Sequence, residues 1–177
     1  MRITGGKLRG HRLPLQKGGS VRPTSDRVRE ALFSILGQDL TDCKVLDVYG
    51  GSGVLAIEAV SRGAVRATVF DRDPKAVRQC MALVEKLRLR TQIRVRKGTV
   101  PKCLPTGSRF DLIFVDPPYT LDPLKVLEVL APMCAGVLVL EHRDEAPEPK
   151  GLMRVDSRQY GDTTLSFYRE TAALQST

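Results

Sequence analysis

No apolar run in the 177-residue sequence approaches the roughly 18 residues that a membrane-spanning helix needs, which excludes a helical membrane protein. The opening residues, Met1-Arg2-Ile3-Thr4-Gly5-Gly6-Lys7, lack the apolar stretch of a secretory signal, so a cytoplasmic address is expected. Cysteine is scarce and scattered. Cys43, Cys80, Cys103 and Cys134 form no C-x-x-C pair, which points away from a zinc site or a disulfide framework. The two histidines, His11 and His142, lie far apart, and no metal is expected. Tryptophan is absent, and no internal repeat or low-complexity tract breaks the chain. What remains is 42% hydrophobic and 27% charged, enough for one globular domain with a sizeable core.

Acidic residues are almost missing from the first sixth of the chain. Residues 1–29 hold eight basic side chains (Arg2, Lys7, Arg9, Arg12, Lys17, Arg22, Arg27, Arg29) against Asp26 alone, whereas residues 30–177 are nearly neutral. Such asymmetry fits a basic arm that faces a polyanion. Arg27, Arg29 and Glu30 fit equally a solvated helix face or a surface that contacts the pocket or the polyanion. Ile3, Leu8, Leu13 and Leu15 among glycines predict a short hairpin or ribbon. Thr24 or Ser25 caps the helix that follows Pro23, and Gly37 ends it.

From residue 44 onward, strands alternate with helices. Apolar runs at 45–48, 67–70, 93–95, 112–115 and 137–140 read as buried strands. Helices are expected from Ser52 to Gly63, from Asp73-Pro74, and from Asp122-Pro123 through Met133. This alternation predicts a parallel sheet covered on both faces. Runs at 153–155 and 165–168 around Tyr160-Gly161-Asp162 read as a terminal pair of strands.

The first strand leads through Asp47-Val48-Tyr49-Gly50-Gly51-Ser52-Gly53 directly into a helix. Glycines there permit a sharp turn and a close approach of backbone to a ligand. Asp71, ending the second strand, is placed to accept hydrogen bonds from ribose hydroxyls. These features indicate a nucleoside cofactor. Asp47 narrows the choice, because its carboxylate would repel a dinucleotide's pyrophosphate and attract the ammonium and sulfonium of S-adenosylmethionine. Candidate cofactor contacts are Asp47, Tyr49, Gly50, Gly51, Gly53, Asp71, Arg72, Thr99 and Val100.

The fourth strand ends in Asp116-Pro117-Pro118-Tyr119. The prolines stiffen the loop and bring no amide hydrogens. The Asp116 carboxylate and Pro117 carbonyl then serve as acceptors beside the Tyr119 ring, an arrangement suited to a planar base with an exocyclic amine. Such an amine is a poor nucleophile because its lone pair is delocalised. Fixed acceptors favour a pyramidal nitrogen aimed at a methyl donor, so in-line transfer needs positioning and electrostatics rather than a covalent enzyme intermediate. Cys103 is expected to be structural. Glu141, closing the fifth strand, is a supporting acid at most.

These segments resemble the bacterial methyltransferases that modify the N2 amine of a guanine in 16S small-subunit ribosomal RNA. The likeness runs through residues 2–10, 22–30, 45–53 and 116–119 to Tyr160-Gly161-Asp162-Thr163. It implies an α/β, Rossmann-like class I methyltransferase fold with a seven-stranded sheet of order 3-2-1-4-5-7-6, the last strand antiparallel. A basic RNA-binding extension (1–23) would precede the methyltransferase domain (24–177). Asp47, Gly51 and Gly53 would line the methionine part of S-adenosylmethionine, Asp71 its ribose, and Asp116 and Tyr119 the guanine. Two departures stand out: Tyr49-Gly50 replaces a common Phe-Ala, and Thr99 replaces an Asp that often meets the adenine amine. Expected RNA contacts are Arg2, Lys7, Arg9, Arg12, Arg22 and Arg27, on 16S RNA or the assembling small subunit, by a monomer. Adenine-N6 or protein-glutamine methylation, a nicotinamide-dependent oxidoreductase and a non-catalytic RNA-binding module are the alternative readings.

Overall fold

The computed structural model describes residues 1–14, 25–118 and 120–171. In chain order its elements are α1 (Asp26–Leu36), β1 (Lys44–Val48), α2 (Val54–Ser61), β2 (Arg66–Asp71), α3 (Pro74–Lys86), β3 (Ile93–Lys97), β4 (Phe110–Val115), α4 (Pro123–Leu130), β5 (Cys134–His142), β6 (Leu152–Tyr160) and β7 (Thr163–Glu170). The strands form one sheet of order β3-β2-β1-β4-β5-β7-β6. β1 to β5 run parallel, and β7 lies antiparallel between β5 and β6, as the resemblance implied.

Alternation along the strands divides the core in two. Val45, Val69, Phe114, Val139 and Leu165 face the layer of α1, α2 and α3, while Leu46, Val48, Ile113, Val115 and Leu140 face α4. Burial on both faces explains why the central strands read as unbroken apolar runs. The three capped helices begin where their sequence signals place them. Ser25 Oγ accepts from the Val28 amide, and the Asp73 and Asp122 carboxylates accept from the Lys75 and Leu124 amides.

Two boundaries differ from expectation. α4 stops at Leu130 and tightens into a 3-10 turn over Ala131–Met133, because Pro132 has no amide to continue the α-helical ladder. β6 spans nine residues, although only its first few are apolar enough to read as a strand. As the sheet's outer strand it is mostly exposed, so polar residues suffice along the rest of its length.

The N-terminal ribbon is part of the core rather than a detached arm. Arg2 and Arg12 form an antiparallel bridge, and Ile3 and Leu13 are buried against α1 and α2. A buried ionic knot secures it. The Glu58 carboxylate of α2 accepts from the Thr4 amide (3.0 Å), the Thr4 hydroxyl (2.7 Å), Arg29 Nε (3.0 Å) and an Arg62 guanidinium nitrogen (3.4 Å). Arg29 also reaches the Arg2 carbonyl and the Asp26 carboxylate. Arg29 therefore belongs neither to a solvated face nor to an RNA-contact surface, since its side chain is fully buried in this knot.

Candidate cofactor and acceptor site

β1 lies between β2 and β4, so the carboxyl ends of the three strands share one rim, where ligands of open α/β sheets bind. The chain leaves β1 in a turn with Tyr49, Gly51 and Gly53 at φ 62°, 54° and 72°. A side chain at Gly53 would press on the Cys80 thiol, and one at Gly50 on Val69 and the Asp47 carboxyl. At Gly51 an added Cβ would meet nothing within 4 Å, so the turn opens a cradle on its outer side. Its shape is held from β2: the Gly50 amide donates to the Phe70 carbonyl (3.0 Å) and the Gly51 amide to Asp71 Oδ2 (2.8 Å). The other Asp71 oxygen accepts from the Asp73 amide (2.9 Å).

Asp47 is buried beneath this turn, with 3% of its surface exposed. Burial raises its pKa to about 7, against a lowering hydrogen bond from the Ala56 amide, and the charges of Asp116 and Asp71 raise it further. Its Oδ2 is buried without a hydrogen-bond partner among the described residues. An unsatisfied carboxylate oxygen among acids, next to an open glycine cradle, fits a cationic ligand. The Tyr49 hydroxyl is likewise buried and without a hydrogen-bond partner among the described residues, and Tyr49, Val100, Cys103 and Leu104 all pack against the α4-side core. Arg72 and Thr99 are exposed just beyond β2 and β3, and Val100 is half-buried. All nine candidate cofactor residues thus sit on strand ends or turns at one rim. Cys103 and Cys80 thiols are raised in pKa by burial, Cys80 to about 12, which leaves neither activated.

Asp116 follows β4 and is half-buried, while Pro117 is buried behind it. The Leu121 amide donates to the Pro118 carbonyl (2.9 Å), turning the chain toward α4. Tyr119 lies outside the described residues. Asp116 lines a narrow cleft with Leu32, Leu55, Phe114, Val139, Glu141 and Leu165. Burial, and then the Glu141 charge, raise the Asp116 pKa to about 7. Glu141, expected from the sequence to be a supporting acid at most, lines the same cleft as Asp116. The signal was its place at the end of β5, the strand beside β4.

The basic residues divide between two ends of the molecule. Lys7 Nζ reaches the Gln92 side chain (3.4 Å), and Leu8 the hydroxyl of Ser61 at the end of α2, both at the amino ends of the strands. Arg2 instead lies 3.7 Å from Asp26, at the start of α1. The same helix end, with Ser25, Arg27 and Val28, forms a cavity of about 310 Å³ with Gln159, Tyr160 and Gly161. That turn of β6 and β7 belongs to the rim holding Asp116. Arg2, Arg12 and Arg27 are therefore grouped toward the site and Lys7 away from it. Arg9, exposed, follows the turn that carries Lys7, and Arg22 lies outside the described residues.

Among the described residues no group of three or more metal-ligating side chains occurs, and no helix is long and apolar enough to cross a membrane. The strand order, with a lone buried acid under the glycine turn, is that of the class I methyltransferases that take S-adenosylmethionine as methyl donor. The chain belongs to the family described as conserved hypothetical protein 95, whose model matches residues 1–169. It is 33% identical over 182 residues to a Bacillus subtilis protein named "Putative rRNA methyltransferase YlbH", covering 96% of this chain and 99% of that one. It is 36% identical over 119 residues to ribosomal RNA small subunit methyltransferase D of Escherichia coli, an alignment spanning 67% of this chain and 60% of the relative. The solved structure of yhhF from Escherichia coli superposes with a TM-score of 0.84 at 30% identity, covering 96% of this chain and 97% of that one.

Proposed function

We propose that this methyltransferase modifies the exocyclic N2 amine of a guanine in 16S small-subunit ribosomal RNA. The observation that carries the reading is the placement of Asp116, in its stiff Asp-Pro-Pro loop, on the strand beside Asp47 and the glycine cradle. That placement sets an acceptor for an amine next to a seat for a cation. The relatives named for rRNA methylation support the nucleic-acid class of substrate.

Asp47 and the turn 49–53 would hold the methionine part of the donor, and Asp71 would turn its remaining lone pairs to the ribose. S-adenosylmethionine, when bound, supplies an electrophilic methyl group on a sulfonium. Asp116 accepts an N–H of the target amine, orients the nitrogen lone pair and takes up the proton that the nitrogen must lose. Its pKa near 7 lets it serve as an acceptor when ionised and hold a proton afterwards. The Pro117 carbonyl offers a second acceptor and Tyr119 a ring to stack on the base. Leu32, Leu55 and Leu165 keep water from the cleft, which strengthens these interactions. Arg2, Arg12 and Arg27 bind phosphates of a loop from which the guanine is turned out, in the cytoplasm, by a monomer.

The test supplies labelled S-adenosylmethionine with 16S RNA, with small subunits lacking the mark and with DNA, followed by digestion to nucleosides. Label in N2-methylguanosine from RNA or subunits is expected. Label in N6-methyladenine would keep the amine chemistry and overturn the base.

A further inference from the structure

We propose that the uncovered side of the β3 edge, with Arg94 and Arg96 flanked by Arg66 and Lys102, is a second RNA-docking surface, which takes the phosphate backbone of a different segment from the one met by Arg2, Arg12 and Arg27. The inference rests on the RNA substrate proposed above and deepens it.

The near neutrality of residues 30–177 conceals a second basic tract. Residues 72–102 hold ten basic side chains against Asp73 and Glu85, a net charge of +8, so this stretch alone matches the charge of the whole chain. Outside it and residues 1–29, ten basic residues stand against seventeen acidic ones. The ten cations of the tract are all exposed, and among the described residues the one salt bridge they make joins Arg90 to Glu85.

Strand alternation gathers part of this charge on one side. Ile93 and Val95 pack with the core under α1, α2 and α3, which turns Arg94 and Arg96 the other way, beside Thr68 and Phe70 of β2. α4 covers that side of the central strands, but the core beneath it holds no residue of β3. Arg66, two residues before Thr68, projects from the same side and is exposed. Val100, Cys103 and Leu104 pack against the α4-side core, so the loop after β3 crosses to this side and carries Lys102 exposed upon it. Arg94 and Arg96 stand about 6.6 Å apart along the strand, which lets their guanidinium forks engage neighbouring phosphates.

Cations on an open outer strand keep it from pairing with another chain, but that purpose needs no such excess. A dense basic tract on a molecule whose remainder is acidic fits a polyanion. The sheet order decides which segment is met. β3 and β6 are the two outer strands, six spacings of about 4.8 Å or roughly 29 Å apart, with Asp116 at the end of β4 between them. Arg27 lies against the turn of β6 and β7. RNA whose target base enters at Asp116 and whose flank meets Arg27 therefore reaches β3 with a separate stretch of backbone.

The test compares wild type with Arg94→Gln/Arg96→Gln and with Lys150→Gln/Arg169→Gln, which removes the same charge from exposed positions toward the amino ends of the parallel strands. Binding would be titrated against salt on naked small-subunit RNA and on small subunits lacking the mark, and methylation followed on both. Arg94→Gln/Arg96→Gln is expected to make the log–log slope shallower by about 1.4, at about 0.7 for each phosphate contact on single-stranded RNA. It should raise KM and leave kcat and S-adenosylmethionine affinity unchanged. Lys150→Gln/Arg169→Gln should keep the wild-type slope. Equal slopes for all three proteins, or equal losses from the two variants, overturn the proposal. Self-association of Arg94→Gln/Arg96→Gln at an unchanged slope would leave those cations as edge guards and overturn it as well. A loss confined to subunits, with naked RNA bound as before, would give the surface to a protein of the subunit and overturn its assignment to RNA. A wild type that places no label in RNA removes the substrate reading itself, whereas each of the other failures leaves that label in place.

Discussion

The Gly51 amide donates a 2.8 Å hydrogen bond to the Asp71 carboxylate, tying the turn after β1 to the end of β2. Asp71 spends its other oxygen on the Asp73 amide, so one side chain shapes the cradle and begins the approach to α3. The acid that sequence reasoning assigns to a ribose also builds the turn on which the rest of the donor would lie.

Asp71→Ala should therefore weaken S-adenosylmethionine binding by at least about tenfold, or 1.4 kcal/mol, through loss of turn geometry as well as of the ribose contact. Asp71→Asn, with one carbonyl oxygen left, should lose less. Titration calorimetry reads both, and an Asp71→Ala protein that binds as wild type does would contradict the dual role.

Asp47 is expected to make donor binding depend on pH. With its pKa raised to about 7 by burial, the carboxylate must lose a proton to meet a cation, so affinity should climb as pH rises from about 5.5 through 7. In the unliganded protein the sign is reversed. A carboxyl whose folded pKa lies above its unfolded value loses stabilising free energy as pH rises from about 4 to about 7. Asp47→Asn should thus weaken donor binding, flatten its pH dependence and raise the melting temperature of the unliganded protein at pH 8. A variant that keeps the wild-type pH profile for donor binding would remove Asp47 from the site.

The sheet was legible because each buried strand is a short apolar run and two helices open with Asp-Pro. The glycine turn and the Asp-Pro-Pro loop carry their chemistry in contiguous residues, so they could be read without coordinates. Three features could not. Glu58 and Arg29 look like ordinary helix-surface charges, and only the docking of the N-terminal ribbon buries them together. Glu141 ends an apolar strand without a motif, and it gains meaning only from the β4–β5 register. The basic segment reads as one arm, but its path over α2 carries Lys7 to the rim opposite Asp116.

The knot around Glu58 is expected to hold the ribbon in place. Removing one member of a buried, hydrogen-bonded ion group leaves the others uncompensated, at a cost of about 3–5 kcal/mol. Glu58→Ala should show a loss of that size in denaturant unfolding, with Thr4, Arg29 and Arg62 each losing a buried acceptor. A loss below about 1 kcal/mol would contradict this role.

RNA affinity should fall with salt in proportion to the phosphates neutralised, with a log–log slope of about −0.7 for each contact on single-stranded RNA. Arg12→Ala and Arg27→Ala should each reduce the slope by about that amount, because both lie toward the Asp116 rim. Lys7→Ala, at the opposite rim, should leave it nearly unchanged. Equal effects from all three would mean that the RNA wraps both ends of the molecule.

The most direct measurement compares wild type and Asp116→Ala for binding of S-adenosylmethionine and for methyl transfer to small-subunit RNA in the same preparation. The account predicts donor affinity within about twofold of wild type and turnover reduced by at least about 10²–10³. Transfer at the wild-type rate without the Asp116 carboxylate would show that the amine is activated elsewhere and contradict the account.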